Sequence, residues 1–439
     1  MAINLPFDFS YHSQGRTLPT CAPLYWNQQK MKRLSPLTHR RYLVPLVLVT
    51  LLFFLWGFAR AILDVLNKHL QNQMDISITQ SSLIQVTTYL GYFLMAIPAG
   101  LFINRYGYRR GVVLGLLLFG AGSLLMIPGV EAGTFRAFLL ALFVIGCGLV
   151  FLETAANPYV TELGPAETST SRLNLSQSVN GLGCLFATFA VGQWFFGSGN
   201  IESVVLPYAV MGATVLVVAL IFTRANLPEI AHADDASARL SRSHIAELLL
   251  HRRLFVFGLA ALLCYEIAEI SINSYFINFV TGQGWMDDST ASMVITCALA
   301  FFMVGRFVGS WIMRSVAAET MLLTCGCGAV ACTALVLADI GMVSMVALVA
   351  IYLFEAIMFP TIFALSLRGL GAYTKSASSL LMMTPIGGCG FLLMGLIADH
   401  VNLVVPFVIP LIGFAVVTAY ALRLRHGRSH GGDGSVLQS

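Results

Sequence analysis

Charge is what this chain has least of. Only 10 % of its 439 residues are Asp, Glu, Lys or Arg, while 57 % are hydrophobic. A soluble domain of this length carries roughly a quarter charged residues, so composition excludes a soluble enzyme or a nucleic-acid-binding module. Signatures of catalysis are missing too: the sequence has no His-Glu-x-x-His, no Gly-x-Ser-x-Gly and no Walker-type Gly-Lys-Ser/Thr loop. Cysteine is present at nine positions (21, 147, 184, 264, 297, 325, 327, 332 and 389). They form no pair of Cys-x-x-Cys motifs and meet no histidines at zinc spacing, so neither a metal site nor a disulfide framework is expected. Cys325 and Cys327, two apart on a helix, diverge. Also absent is any polar stretch long enough for a soluble sensor domain. Residues 1–41 are polar and lack the apolar core of a signal peptide, and they read as a cytoplasmic tail in which Met31 is a second candidate start.

What is abundant is apolar sequence, with a mean hydropathy of +0.80. Twelve segments approach or exceed the roughly 20 residues that cross a hydrocarbon core. They span about 43–72, 79–104, 108–128, 135–162, 172–197, 203–223, 253–282, 289–314, 320–339, 342–368, 376–398 and 403–424. The polar stretch from Arg224 to Arg253 divides them six and six. This predicts an all-α polytopic membrane protein: a tail (1–41), a six-helix domain (42–223), a cytoplasmic linker (224–252), a second six-helix domain (253–424) and a second tail (425–439).

Basic residues fix the expected orientation, because Lys and Arg are enriched in cytoplasmic loops. Arg33, Arg40 and Arg41, then Arg105, Arg109 and Arg110, then Arg172, then Arg239, Arg242, Arg252 and Arg253 recur on one side. Arg314, Arg368, Lys375, Arg423, Arg425 and Arg428 continue there, while the opposite loops offer little beyond Lys68 and Arg136. Both termini are therefore expected inside. The halves also echo each other: Glu153 precedes Pro158 and Glu355 precedes Pro360 by five, and Asp64 and Glu266 share the same offset of 202. A duplicated six-helix unit is a common basis of alternating access.

Ionisable groups inside a membrane are expensive and mark functional sites by default. The densest polar run is GCGLVFLETAANPYVTELGPAETSTSRLNLSQSVNGLG, residues 146–183, which carries Glu153, Asn174, Gln177 and Asn180. Positions three, four and seven apart share a helix face. Arg60, Asp64 and Asn67 do so on the first segment, Gln85, Tyr89 and Tyr92 on the second, and Glu266, Glu269, Asn273 and Phe276 on the seventh. Amides, carboxylates and flat rings together suit a polyhydroxylated solute. The plainer readings are that Tyr89, Tyr92 and Phe276 pack, and that Gln177 and Asn180 join helices. Arg60 and Asp64 stand one turn apart, so an ion pair between them is available. Asp64 lies about 22 residues past Tyr42, nearer the outer side than the midplane on a simple rise of 1.5 Å per residue. Arg306, within GRFVG, reads as a structural residue snorkelling to the inner end.

FFLWGFARAILDVLNKHLQ, PAGLFINRYGYRRG, LETAANPYVTELGP with RLNLSQSVNGLG, and FPTIFALSLRGLG resemble the L-fucose/proton symporter family of the major facilitator superfamily, from about residue 43 to 424. The resemblance implies two six-helix domains rocking around a central site and importing a monosaccharide with a proton. It places the family's two essential acids on Asp64 and Glu153, and its fifth-helix Gln and Asn on Gln177 and Asn180. Asn104 departs from the acidic residue usual in the loop after the second helix. Arg60, Ala61 and Leu63 replace an Asn-rich run, and Glu269 replaces an amide.

The expectation is a proton-coupled importer of L-fucose or a related hexose or pentose. Asp64 and Glu153 carry the coupling, and Arg60, Gln85, Tyr89, Asn174, Gln177, Asn180, Glu269 and Asn273 line the substrate site. No cofactor beyond the proton gradient is expected. The expected partners are a monosaccharide, protons and the bilayer of the inner membrane, with no nucleic acid, for a monomer. Import of an anionic sugar acid, matched to Arg60, and export of drugs or metabolites are the alternatives within transport.

Overall fold

The computed structural model describes residues 37–165, 169–225, 242–313, 316–370, 373, 377 and 380–430. Expectations for residues 1–36, for Arg239, Arg314 and Lys375, and for the last nine residues lie outside them, as do the side chains of Asn104, Pro158 and Asn174.

Among the described residues the chain is helical throughout. The first half comprises α1 (Leu43–Met74), α2 (Ile78–Tyr106), α3 (Tyr108–Ala132) and α4 (Phe135–Glu162), a fifth span made of α5 (Ser169–Phe186) and α6 (Gly192–Ser198), and α7 (Val205–Arg224). A π-helical turn, Ala187–Val191, joins α5 to α6. The linker contains a short helix, α8 (Arg242–His251), which the polar composition of 224–252 does not announce. The second half comprises α9 (Arg253–Gly282), α10 (Asp288–Ile312), α11 (Ala318–Leu337), a tenth span of α12 (Met342–Glu355) and α13 (Met358–Leu367), an eleventh ending in α14 (Phe391–His400), and α15 (Val408–His430). Among the described residues eleven spans are long and apolar enough to cross a bilayer.

Two expected spans are broken, for local reasons. Residues 376–398 are not one helix: Thr384–Gly390 is 3-10 helical, and α14 begins only at Phe391. The run Pro385-Ile386-Gly387-Gly388-Cys389-Gly390 favours this, since a helix interior is costly for Pro and Gly. The glycines also admit neighbours: a Cβ on Gly387 would stand 2.8 Å from the backbone nitrogen of Ile267. The span 342–368 breaks after Glu355. Pro360 has no N–H to give the carbonyl four residues earlier, Ala356. Arg306 fills that vacancy, donating from Nε to Ala356 O at 3.2 Å with its guanidinium 4.8 Å from the ring of Phe302. Arg306 is thus structural, but it is turned into the bundle rather than snorkelling to its end.

Within the first half α4 packs on α3 and α2, α3 on α7, and α1 on α5. Lipid tails are as apolar as the side chains, so close backbone approach replaces the hydrophobic effect as the driving force. The α1–α5 crossing shows this: a Cβ on Gly57 would meet the carbonyl oxygen of Asn180 at 2.1 Å, and one on Gly183 that of Phe54 at 2.2 Å. Loop arginines tie down helix ends. Arg172 is buried, and donates from Nε to Val160 O at 2.9 Å and from Nη1 to Leu37 O at 2.9 Å and Pro165 O at 3.0 Å. Leu94, Ile97, Leu101, Val210, Phe307 and Trp311 are among the large apolar side chains left exposed on the outer surface of the bundle. That belt is what a lipid-facing surface requires.

The halves meet along α1 against α9, α2 against the eleventh span, and the fifth span against α10.

Candidate functional site

The polar residues singled out on α1, α2 and α9 come together where the halves meet. Helix α1 is 32 residues long, about 48 Å, more than a bilayer core. Asp64 therefore lies roughly 15 Å inside its far end. Its Oδ1 accepts from Ser274 Oγ of α9 at 2.9 Å and from Gln85 Nε2 of α2 at 3.3 Å, and Gln85 Nε2 also reaches Ser274 Oγ at 2.7 Å. Ser274 was not among the expected site residues. Its small hydroxyl lies next to Asn273 in the chain but about 80° round the helix from Glu266, off the stripe of Glu266, Glu269, Asn273 and Phe276, and an uncharged serine in an apolar helix gives no signal of its own.

One turn from Asp64, Arg60 pairs elsewhere than its nearness to Asp64 suggests. Its Nη2 lies 3.8 Å from Glu266 Oε2 and 3.6 Å from Glu269 Oε2, both across the interface, with side-chain exposures of 33 %, 3 % and 13 % for Arg60, Glu266 and Glu269. Spacing along α1 cannot register a partner on another domain, and here two carboxylates outcompete one.

Glu153 is half-buried in a crevice lined by Leu52, Phe53, Trp56, Leu152 and Ala156. Trp56 Nε1 donates to Tyr92 OH at 2.8 Å, and the rings of Tyr92 and Tyr89 stand 5.9 Å apart, which lays an aromatic wall between Glu153 and Gln85. Phe276 is fully buried against Tyr352, 6.0 Å between rings, and packs. Asn180 spends its amide on the backbone of α1, donating from Nδ2 to Phe53 O at 3.0 Å. Gln177 is half-buried. Asn273 is half-buried with an unpartnered Oδ1, and Glu355 is fully buried with both carboxylate oxygens unpartnered. No group of three or more metal-ligating side chains occurs among the described residues.

Away from this cluster, one end of the interface is sewn shut. Asn72 Nδ2 donates to Asp288 Oδ2 at 2.5 Å, with Lys68 Nζ 3.9 Å from Asp288 Oδ1. The backbone N–H groups of Ile78 and Thr79, at the start of α2, donate to the two oxygens of Asp399 at 3.2 and 2.8 Å, the favoured place for an anion. Gln193 and Ser289 exchange two hydrogen bonds, and Ser292 Oγ reaches Thr188 O, inside the π turn, at 2.6 Å. All these partners lie on the side of Asp64 away from the chain termini. On the terminal side of Arg60 no hydrogen bond or ion pair joins the halves among the described residues. The result is a central polar cluster closed off at one end.

Two six-helix domains around such a cluster define the architecture of a secondary transporter. Residues 49–389 match the model of the Major Facilitator Superfamily, and the chain belongs to that family. It is 34 % identical over 421 residues to the "Glucose/galactose transporter" of Brucella abortus (strain 9-941), covering 92 % of this chain and 98 % of that one. It is 33 % identical over 411 residues to the "L-fucose-proton symporter" of Escherichia coli (strain K12), covering 87 % and 93 %. Among solved structures it resembles FucP in the outward conformation, with a TM-score of 0.69, 33 % identity and coverage of 88 % and 99 %. The fold resemblance in the sequence is thus confirmed.

Proposed function

We propose that this chain is a proton-coupled importer of a neutral monosaccharide, L-fucose or a related hexose or pentose, working by alternating access. The carrying observation is the seam of cross-domain bonds that closes one end of a central cluster of carboxylates, amides and aromatic faces. The relatives named for fucose with a proton, and for glucose and galactose, supply the substrate class. By the loop arginines the termini face the cytoplasm of an inner-membrane protein, so the sealed end is the outside and this is an inward-facing state. Two domains that close one end in this way complete a transport unit in a single copy.

Asp64 and Glu153 are assigned to proton coupling. Asp64 sits in the seam and bonds across it, so its charge state bears on closure; Glu153 faces the crevice. Neutralising a buried carboxylate lowers the cost of enclosing it. A proton's entry supplies roughly 2.3 kcal/mol per 100 mV of membrane potential for accumulation. For the sugar we assign Gln85, Tyr89, Asn174, Gln177 and Asn273, with Arg60 and Glu269 at the site's edge and Asn180 bracing α5 on α1. Import of a sugar acid is disfavoured because two glutamates already engage Arg60. Export of drugs or metabolites, and enzymatic turnover, find no supporting feature in this polar, carboxylate-rich site.

The test uses purified protein in liposomes holding a pH-sensitive dye, given L-fucose, D-glucose, D-galactose, D-arabinose, N-acetylglucosamine and a hexuronate singly. Lumenal acidification on addition of one neutral sugar is expected; acidification by none of them, or by the hexuronate alone, overturns the reading.

A further inference from the structure

The cluster holds two acids that the Asp64 and Glu153 scheme leaves unused. Glu266 and Glu269 belong to the second half, and the cation between them belongs to the first. Their contact with Arg60 is the innermost rung of the seam, about 20 Å from the sealed end of either helix by residue count. A further cross-domain ion pair, Lys68 with Asp288, lies at the far end.

An ion pair exists only while the carboxylate is ionised, so forming this rung requires Glu266 and Glu269 to be free of protons. When the sealed end opens, α9 moves off α1 and the rung breaks. Within their own half no cation among the described residues replaces Arg60: Arg306 of α10 is bound to Ala356 O and Phe302, while Tyr265, Tyr352 and Glu355 contribute no positive charge. From the first half the groups that face them are Asp64 of α1, Tyr89 of α2, Glu153 of α4 and Cys184 of α5, again none cationic. Two adjacent carboxylates with Asp64 and Glu153 close by and no cation among them repel one another, and protonation relieves that repulsion. Opening outward therefore loads protons and sealing discharges them. The discharge side is set by geometry: the crevice of Trp56 and Glu153 lies one to two turns of α1 nearer the termini, where no hydrogen bond or ion pair joins the halves among the described residues.

We propose that Glu266 and Glu269 form a second proton-carrying site, in the second domain, emptied by Arg60 each time the outer end closes. Because Arg60 returns on every closure, proton release is tied to the conformational step itself. What travels with the proton rests on the reading given above.

Two measurements separate this proposal from that reading. The first compares acidification with labelled sugar uptake in liposomes for the wild type and the double variant Glu266→Gln/Glu269→Gln, at whatever rate the variant transports. Protons per sugar are expected to fall about two-fold or more; an unchanged ratio overturns the proposal. The second needs no sugar: spin labels at Glu202 and Ile340, both exposed at the sealed end of opposite halves, report closure at pH 5 and pH 8. In the wild type the short distance gains population as pH rises, since the rung forms only when the carboxylates ionise. That pH dependence is expected to shrink in the double variant and in Arg60→Gln, which removes the cation and leaves both acids. The same pH dependence in all three proteins overturns the proposal, even if no sugar tested is a substrate.

Discussion

The two ends of the interface between the halves are built differently. Away from the termini, side chains of α1, α2 and the fifth span reach across to α9, α10 and the eleventh span through a ladder of hydrogen bonds. Toward the termini, beyond Arg60, no such bond exists among the described residues. The sealed end is short-range and polar, made of carboxylates on helix starts and hydroxyls on carbonyls. Such contacts are individually weak, because each replaces a bond to water and contributes about 1 kcal/mol net. A reversible gate needs this, since a seam of large apolar contacts would not part on each cycle. The buried rung at Arg60 follows the same logic: desolvating three charges offsets much of their attraction, so its consequence lies in which state is favoured rather than in stability.

The largest effects should come from the acids assigned above to proton coupling. Glu153→Gln and Asp64→Asn are each expected to abolish uphill accumulation of sugar while sparing exchange down a gradient. Normal sugar-dependent proton uptake in both variants would remove them from the coupling scheme. Next comes steric propping of the sealed end. A Cβ on Gly388 would stand 2.2 Å from Cδ2 of the Tyr89 ring, and one on Gly192 1.9 Å from Ser292 Oγ. Gly388→Val should therefore hold the sealed end open and reduce uptake by an order of magnitude or more, given the rigidity of packed interfaces. Thiol labelling of a cysteine at position 72 would report it, and unaltered labelling would show that the seam yields there.

Asp399→Asn tests the helix-terminus clasp. It keeps the shape but removes the charge facing the start of α2, and should weaken closure by about 1 kcal/mol, roughly five-fold in the ratio of closed to open. Lys68→Ala, whose partly buried ion pair with Asp288 is long at 3.9 Å, should change that ratio by less than about two-fold, as weak pairs near the surface usually do. Arg306→Gln sits apart from the seam. It strands the carbonyl of Ala356 and is expected to cost about 1–3 kcal/mol of stability, read as a lower melting temperature with the proton-to-sugar ratio intact.

Much of the site was legible along the chain because a charge inside an apolar helix stands out whatever surrounds it. Asp64, Glu153, Arg60, Glu266 and Glu269 were recognisable in this way, and so were the stripes holding Gln85, Tyr89 and Asn273. Partners were not legible. Arg60 and Asp64 are neighbours on α1, yet Arg60 turns to α9 and Asp64 to Ser274, and Asn180 spends its amide on the carbonyl of Phe53. Asp399 and Asp288, at helix ends of the second half, carry no signal of their own in the sequence; only the packing of the halves sets them against the start of α2 and against Asn72.

The sequence by itself determined the spans, their grouping into two sixes and the presence of buried charge, because hydrophobicity and intramembrane charge are properties of the residues that tertiary contact does not alter. Only the tertiary structure decided which charges meet, where the tenth and eleventh spans break, and which end of the interface is closed. Those depend on distances between helices remote in the chain, where a carbonyl orphaned by Pro360 finds Arg306 and one cation chooses among the carboxylates around it.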